Sequence, residues 1–119
     1  MAELRLDSRC IGDITVLYPR GHINAHTVKD FEGTLLTLLE KPGSRLVISG
    51  RELSYIASAG LGALMGVIEE VRASDGDIRL ADLSQSVFDV FDILGFPHLF
   101  QIFPTEEEAL RSFPGQSQG

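Results

Sequence analysis

The sequence predicts an α/β fold: a mixed, mainly parallel sheet with an N-terminal antiparallel hairpin and helices packed on it, in the order ββαβαβαβα. Three observations support that class. Apolar residues alternate with polar ones in the first part of the chain, recur at three- and four-residue steps in later stretches, and form short runs between those stretches. Gly, Pro, Ser or Asp punctuates most changes of period.

Leu4 to Arg9 alternates, Ile14-Thr15-Val16-Leu17-Tyr18 is β-branched and aromatic, and Gly12-Asp13 between them supplies a hairpin turn. Val28, Phe31, Leu35, Leu38 and Leu39 then mark one face of a first helix, with Asn24 as its N-cap and Lys41-Pro42-Gly43 as its stop. Leu46-Val47-Ile48 reads as a strand buried on both faces. A second helix starts at Ser58. Its apolar stripe is Leu61, Leu64, Met65, Ile68 and Val71, and Ser74-Asp75-Gly76 ends it.

Ile78-Arg79-Leu80-Ala81 is the next strand. Ser84 caps a third helix that directs Val87, Phe88, Phe91 and Leu94 to the core, and Gly95 closes it. Phe100-Gln101-Ile102-Phe103 is the last strand. Thr105 and Glu108 then form a capping box that opens a fourth helix carrying Ala109, Leu110 and Phe113. Residues 1–113 make one domain and 114–119 a flexible tail, with right-handed crossovers placing the helices mainly on one face of the sheet.

A chain of 119 residues with 44% hydrophobic and 23% charged residues is long enough and apolar enough for a single packed core. Its net charge of −7 repels the nucleic-acid backbone, so no nucleic-acid partner is expected. The lone Cys10 has no partner for an internal disulfide and reads as a small buried or half-buried apolar residue. No apolar stretch approaches the ~20 residues needed to cross a bilayer, and Met1-Ala2-Glu3-Leu4-Arg5 lacks the apolar core of a secretory leader. The expectation is a cytoplasmic protein without membrane insertion.

The strongest functional signal is Leu53-Ser54-Tyr55-Ile56-Ala57-Ser58-Ala59-Gly60-Leu61-Gly62, which hands a serine to the start of a helix. A hydroxyl there can cap the helix, attack a substrate or accept a phosphate. As a cap it contributes ~1 kcal/mol. As a nucleophile, Ser58 with Asp82 or Asp89 and His98 follows the chain order of α/β-hydrolases, but Ile56 breaks the G-x-S-x-G elbow. Gly62 and Gly66 each cost ~1 kcal/mol relative to Ala and lie at four-residue steps from Ser58, away from the apolar stripe. Either a partner or a loop of the same chain should approach that face closely.

Other constellations are weaker. His22 and His26 straddle Asn24 instead of sharing a helix face, and no acid or cysteine completes a metal set beside them. No phosphate-binding or dinucleotide glycine motif occurs, so no cofactor is expected. Glu106-Glu107-Glu108 reads as first-turn acids that complement a helix dipole.

Taken together, Gly21-His22-Ile23-Asn24-Ala25-His26-Thr27, the Leu53 to Leu61 stretch, Val87-Phe88-Asp89-Val90-Phe91-Asp92-Ile93-Leu94-Gly95-Phe96, and Ile102 to Leu110 resemble the STAS-domain family of anti-sigma-factor antagonists. The resemblance implies a STAS (anti-sigma-factor-antagonist-like) fold and a non-enzymatic protein. Its partner would be an anti-sigma factor with serine kinase activity, and phosphorylation at Ser58 would switch the binding off. It also implies a partner-binding surface made by Asn24, His26, Ala57, Ser58, Ala59, Gly62 and Gly66. Ala57 stands where the family commonly has an acid, Ala59 where it often has a second serine, and Asn24 where it often has aspartate. The alternative within the resemblance is a STAS regulatory subunit that docks on a transporter ATPase without phospho-control.

Overall fold

In the computed structural model, which describes residues 3–115, the chain folds around one six-stranded sheet. Strands β1 (Leu4–Ile11) and β2 (Ile14–Ile23) form the antiparallel hairpin, paired without interruption from Leu4↔Gly21 to Ile11↔Ile14. Helix α1 (Val28–Leu38) leads to β3 (Arg45–Ser49) and β4 (Leu53–Ile56), and α2 (Ser58–Ala73) to β5 (Asp77–Ala81). Helix α3 (Gln85–Ile93), a 3₁₀ turn (Phe96–His98), β6 (Ile102–Phe103) and α4 (Glu106–Arg111) complete the chain. The sheet order is β1-β2-β3-β5-β6, every pair after the hairpin is parallel, and β4 pairs with β2.

Strand β3 shows how the layers form. Leu46 and Ile48 face a large core shared with Phe31 and Leu35 of α1, Leu61, Leu64 and Ile68 of α2, and Val87 and Phe91 of α3. Val47 points the other way, into a smaller core of Ile14, Val16, Ala81, Ala109 and Phe113 beneath α4. Burying each of these large side chains contributes roughly 1.5–3 kcal/mol, so both sheet faces are held, with α1, α2 and α3 on one and α4 on the other. Sequence-predicted caps recur here: Ser84 Oγ accepts from Val87 N–H at 3.3 Å, and Thr105 Oγ1 from Glu108 N–H at 3.1 Å. Gly95 turns the chain after α3 with φ +78°.

The structure adds one strand to the expected order. Leu53 and Ile56 are buried while Ser54 and Tyr55 are exposed, so β4 does not alternate and its sequence gives no period-two signal. It forms because the upper half of β2 offers a pairing edge beyond the end of β3: Gly21↔Leu53, His22↔Tyr55 and Ile23↔Ile56, with a register shift at Gly21/His22. Gly21 sits at φ +107°, where any side chain would also run into the Glu3 carbonyl.

Several side chains depart from expectation. Met65 lies at the border of the α2 stripe and is 44% exposed, and Leu94 swings outward where the chain turns into Gly95 and is 54% exposed. Phe88 is half-buried. Cys10 is exposed because it lies on the terminal strand, with only Thr15 across from it. The last strand is Ile102–Phe103 alone, because the 3₁₀ turn draws Phe100 N–H back to Phe96 O at 2.8 Å. Of the tail expected at 114–119, Pro114 O accepts from Arg45 Nη1 at 2.9 Å; residues 116–119 lie outside the described residues.

Candidate functional site

The site is built where the ends of β2 and β4 meet the start of α2. Ala57 N–H donates to Ile23 O at 2.8 Å, which continues the β2–β4 ladder by one residue. Ala57 then leaves the strand with φ −91° and ψ 168° and occupies the N-cap position, its carbonyl accepting from Gly60 N–H at 2.9 Å and Leu61 N–H at 3.3 Å. Ser58 is therefore the first residue of the helix, one position past the cap. Its hydroxyl caps nothing, is exposed, and has no hydrogen-bond partner among the described residues. The capping role is corrected by that one-residue offset. No acid stands in the first turn of α2, so the partial positive charge of its N-terminus is uncompensated.

Gly60 fixes how this end of α2 is seated. A Cβ there would lie 2.7 Å from Ile23 Cγ2 and 2.8 Å from Ile56 Cγ1, so only glycine lets the first turn sit down on β2 and β4. Gly62 and Gly66 are the opposite case: both are exposed, and a Cβ at either would meet nothing within 4 Å. Among the described residues, no loop covers them. Ser58, Ala59, Gly62 and Gly66 share one outward face of α2, with Met65 beside them. Met65 joins the candidate surface although its spacing assigned it to the core.

The predicted residues of the preceding turn divide in role. Asn24 does not cap α1, which starts at Val28 with Thr27 in the cap position. Its Oδ1 instead accepts from His26 N–H at 2.9 Å and Thr27 N–H at 3.1 Å, and its Nδ2 donates to Glu3 Oε1 at 2.9 Å. Thr27 closes the turn by accepting from Asn24 N–H and donating to His22 O, both at 2.9 Å. Asn24 thus shapes the turn, while His26 is exposed on it. Because Ile23 pairs with Ile56, this turn adjoins Ala57 and Ser58.

A second polar cluster lies on the α4 side of the sheet. Arg9 Nε donates to Tyr18 Oη at 2.8 Å, and Tyr18 O–H and Arg9 Nη2 donate to the buried Glu106 carboxylate at 2.9 and 3.1 Å. Glu106 N–H in turn donates to Asp82 Oδ2 at 2.9 Å. Burial pushes the Tyr18 phenol above its ordinary range, and the bond to Glu106 adds to the rise. Glu106 is thus more than a first-turn acid: it ties α4 to β1 and β2. Asp82 is engaged there too, and nothing joins it to Ser58 as a nucleophile's helper.

Comparison with known proteins follows the same outline. A family model described as STAS domain matches residues 5–109. A putative anti-sigma factor antagonist, BtrV, of Bordetella bronchiseptica is 31% identical over 94 residues, covering 79% of this chain and 81% of its own. An anti-sigma factor antagonist from Mycobacterium paratuberculosis superposes with a TM-score of 0.83 at 18% identity, over 91% of this chain and 92% of its own. The Bacillus cell fate determinant SpoIIAA in its phosphorylated form matches with a TM-score of 0.66 at 24% identity, over 91% and 96% of the two chains.

Proposed function

This chain belongs to the STAS-domain family, and from that membership we propose that it is an anti-sigma-factor antagonist whose binding to its anti-sigma factor is switched off by phosphorylation of Ser58. The partner in this reading is an anti-sigma factor that is itself a serine kinase, met in the cytoplasm. Among the described residues, no helix is long and apolar enough to cross a membrane.

The observation that carries the reading is the state of Ser58. A hydroxyl that is exposed, spared from capping and set at the head of an uncovered glycine-lined face is available both to a kinase and to a partner surface. Phosphate would add about −1.5 to −2 charges there. The helix would accept them, since an anion at its N-terminus gains roughly 0.3–1 kcal/mol from the dipole. A partner surface fitted to a neutral hydroxyl would not. The switch thus acts on the contact and leaves the fold intact.

Ser58, Ala59, Gly62 and Gly66 form the contact face in this proposal, with Met65 and His26 at its border and Ala57 and Asn24 holding the backbone beneath it. A pull-down with the anti-sigma factor tests it. Wild type and Ser58→Ala should bind and Ser58→Asp should not, and incubation with the kinase and ATP should add one phosphate to wild type only. Equal binding by all three proteins would end the proposal.

A further inference from the structure

We propose that the outer edge of β1 pairs with the β1 of a second copy of this chain, antiparallel and about a two-fold axis through Leu6. β1 is the terminal strand of the sheet, it runs in unbroken register against β2, and it contains neither proline nor bulge. Such an edge is a template for another strand unless something blunts it.

The phase of its hydrogen bonds is fixed by two observations. His22 N–H donates to Glu3 O at 2.9 Å, and Pro19, opposite Leu6, has no N–H to give. Glu3, Arg5, Asp7 and Arg9 therefore bond inward to β2, and Leu4, Leu6 and Ser8 direct N–H and C=O outward. About a two-fold axis at Leu6, each Leu6 exchanges both bonds with its counterpart, and Leu4 does the same with Ser8.

The charges favour that register over its immediate neighbours. On the α4 side of the hairpin the order is Glu3, Arg5, Asp7, Arg9. Pairing about Leu6 sets Glu3 opposite Arg9 of the second copy and Arg5 opposite Asp7, so every charged pair is of opposite sign. Moving the axis by one residue toward either end sets Arg5 opposite Arg5, or Asp7 opposite Asp7. On the other side of the strand, Leu4 and Leu6 floor an open trough whose wall is α1, where a Cβ at Gly33 would meet nothing within 4 Å. A second copy brings its own Leu6 and α1 to close it. The contact is small, so the dimer is weak and salt-sensitive. The axis at Leu6 lies along β1 from the end where Glu3 accepts from Asn24 Nδ2, so only that end of the edge borders the turn beside Ser58.

Sedimentation equilibrium of the full chain at low salt tests the pairing. Wild type should self-associate, and Arg5→Asp, at an exposed position, should weaken association roughly tenfold or more by turning both Arg5–Asp7 pairs repulsive. In a Cys10→Ser background, Leu6→Cys should oxidise to a disulfide-linked dimer far faster than Leu4→Cys, because only Leu6 meets itself. A wild type that stays monomeric at its highest soluble concentration, or equal cross-linking by the two cysteine variants, would overturn the proposal.

Discussion

Ile23 and Ala57 are joined by a 2.8 Å backbone hydrogen bond, so the residue that precedes Ser58 is anchored to the end of β2. The serine is presented from a strand end while its own side chain remains uncommitted. Separating anchor from hydroxyl in this way makes stability and binding respond to different substitutions.

The glycines of α2 should show that separation. Gly60→Ala forces a methyl against Ile23 and Ile56 and should cost roughly 1–3 kcal/mol. Gly62→Ala and Gly66→Ala add a methyl in open space and should each raise stability by about 0.5–1 kcal/mol while weakening partner binding. Urea unfolding beside a binding titration reads both quantities. A stabilised Gly60→Ala would contradict the tight seating described above.

Ser58→Ala should leave stability within about 0.5 kcal/mol of wild type, because the hydroxyl caps nothing. Ser58→Asp should be as stable or slightly more so, since its carboxylate faces an uncompensated helix N-terminus. Thermal unfolding measures this directly. A loss near 1 kcal/mol in Ser58→Ala would restore the capping role.

Stability should fall in alkali through Tyr18. Its folded-state pKa lies above the unfolded value of 10.0, chiefly because of burial, so the folded protein holds a proton that the unfolded chain releases. That contribution is fully present below pH ~10 and is lost as the pH rises through the folded pKa. Tyr18→Phe should be less stable at neutral pH, having lost the bonds to Arg9 and Glu106, and should show a shallower decline above pH ~10. Parallel slopes in the two proteins' alkaline unfolding curves would refute the assignment.

Ser49→Ala should be neutral or stabilising by up to about 1 kcal/mol. The Ser49 hydroxyl is buried at the end of β3 without a hydrogen-bond partner among the described residues, and removing it relieves that desolvation. A marked loss of stability, measured by urea unfolding, would mean that the hydroxyl is satisfied in solution.

Local chemistry made much of the fold legible. The hairpin, the α2 stripe and the caps at Ser84 and Thr105 follow from period and from side-chain oxygens, both written in consecutive residues. Strand β4 was hidden because only its pairing with a distant stretch of β2 makes Leu53–Ile56 a strand. Ser58 was visible as the head of a helix, but its offset from the cap depends on where Ala57 leaves β4, a tertiary matter. Gly62 and Gly66 are legible in the sequence as costly helix residues, yet only the fold distinguishes them from Gly60, which meets Ile23 and Ile56. Glu106 looked like one of three equivalent acids; Arg9 and Tyr18, far away in sequence, make it different.

β2 carries its two parallel partners end to end, β3 along Ile14 to Leu17 and β4 from Gly21 to Ile23, leaving a gap that contains Pro19. That gap predicts a boundary between cooperative units. β4 and the first turn of α2 can separate from β2 without breaking any β2–β3 bond, so their amides should exchange with solvent through a smaller opening than those of the central strands. The segment that presents Ser58 is in this sense a panel hung on the end of one long strand, able to open while the rest of the sheet stays shut.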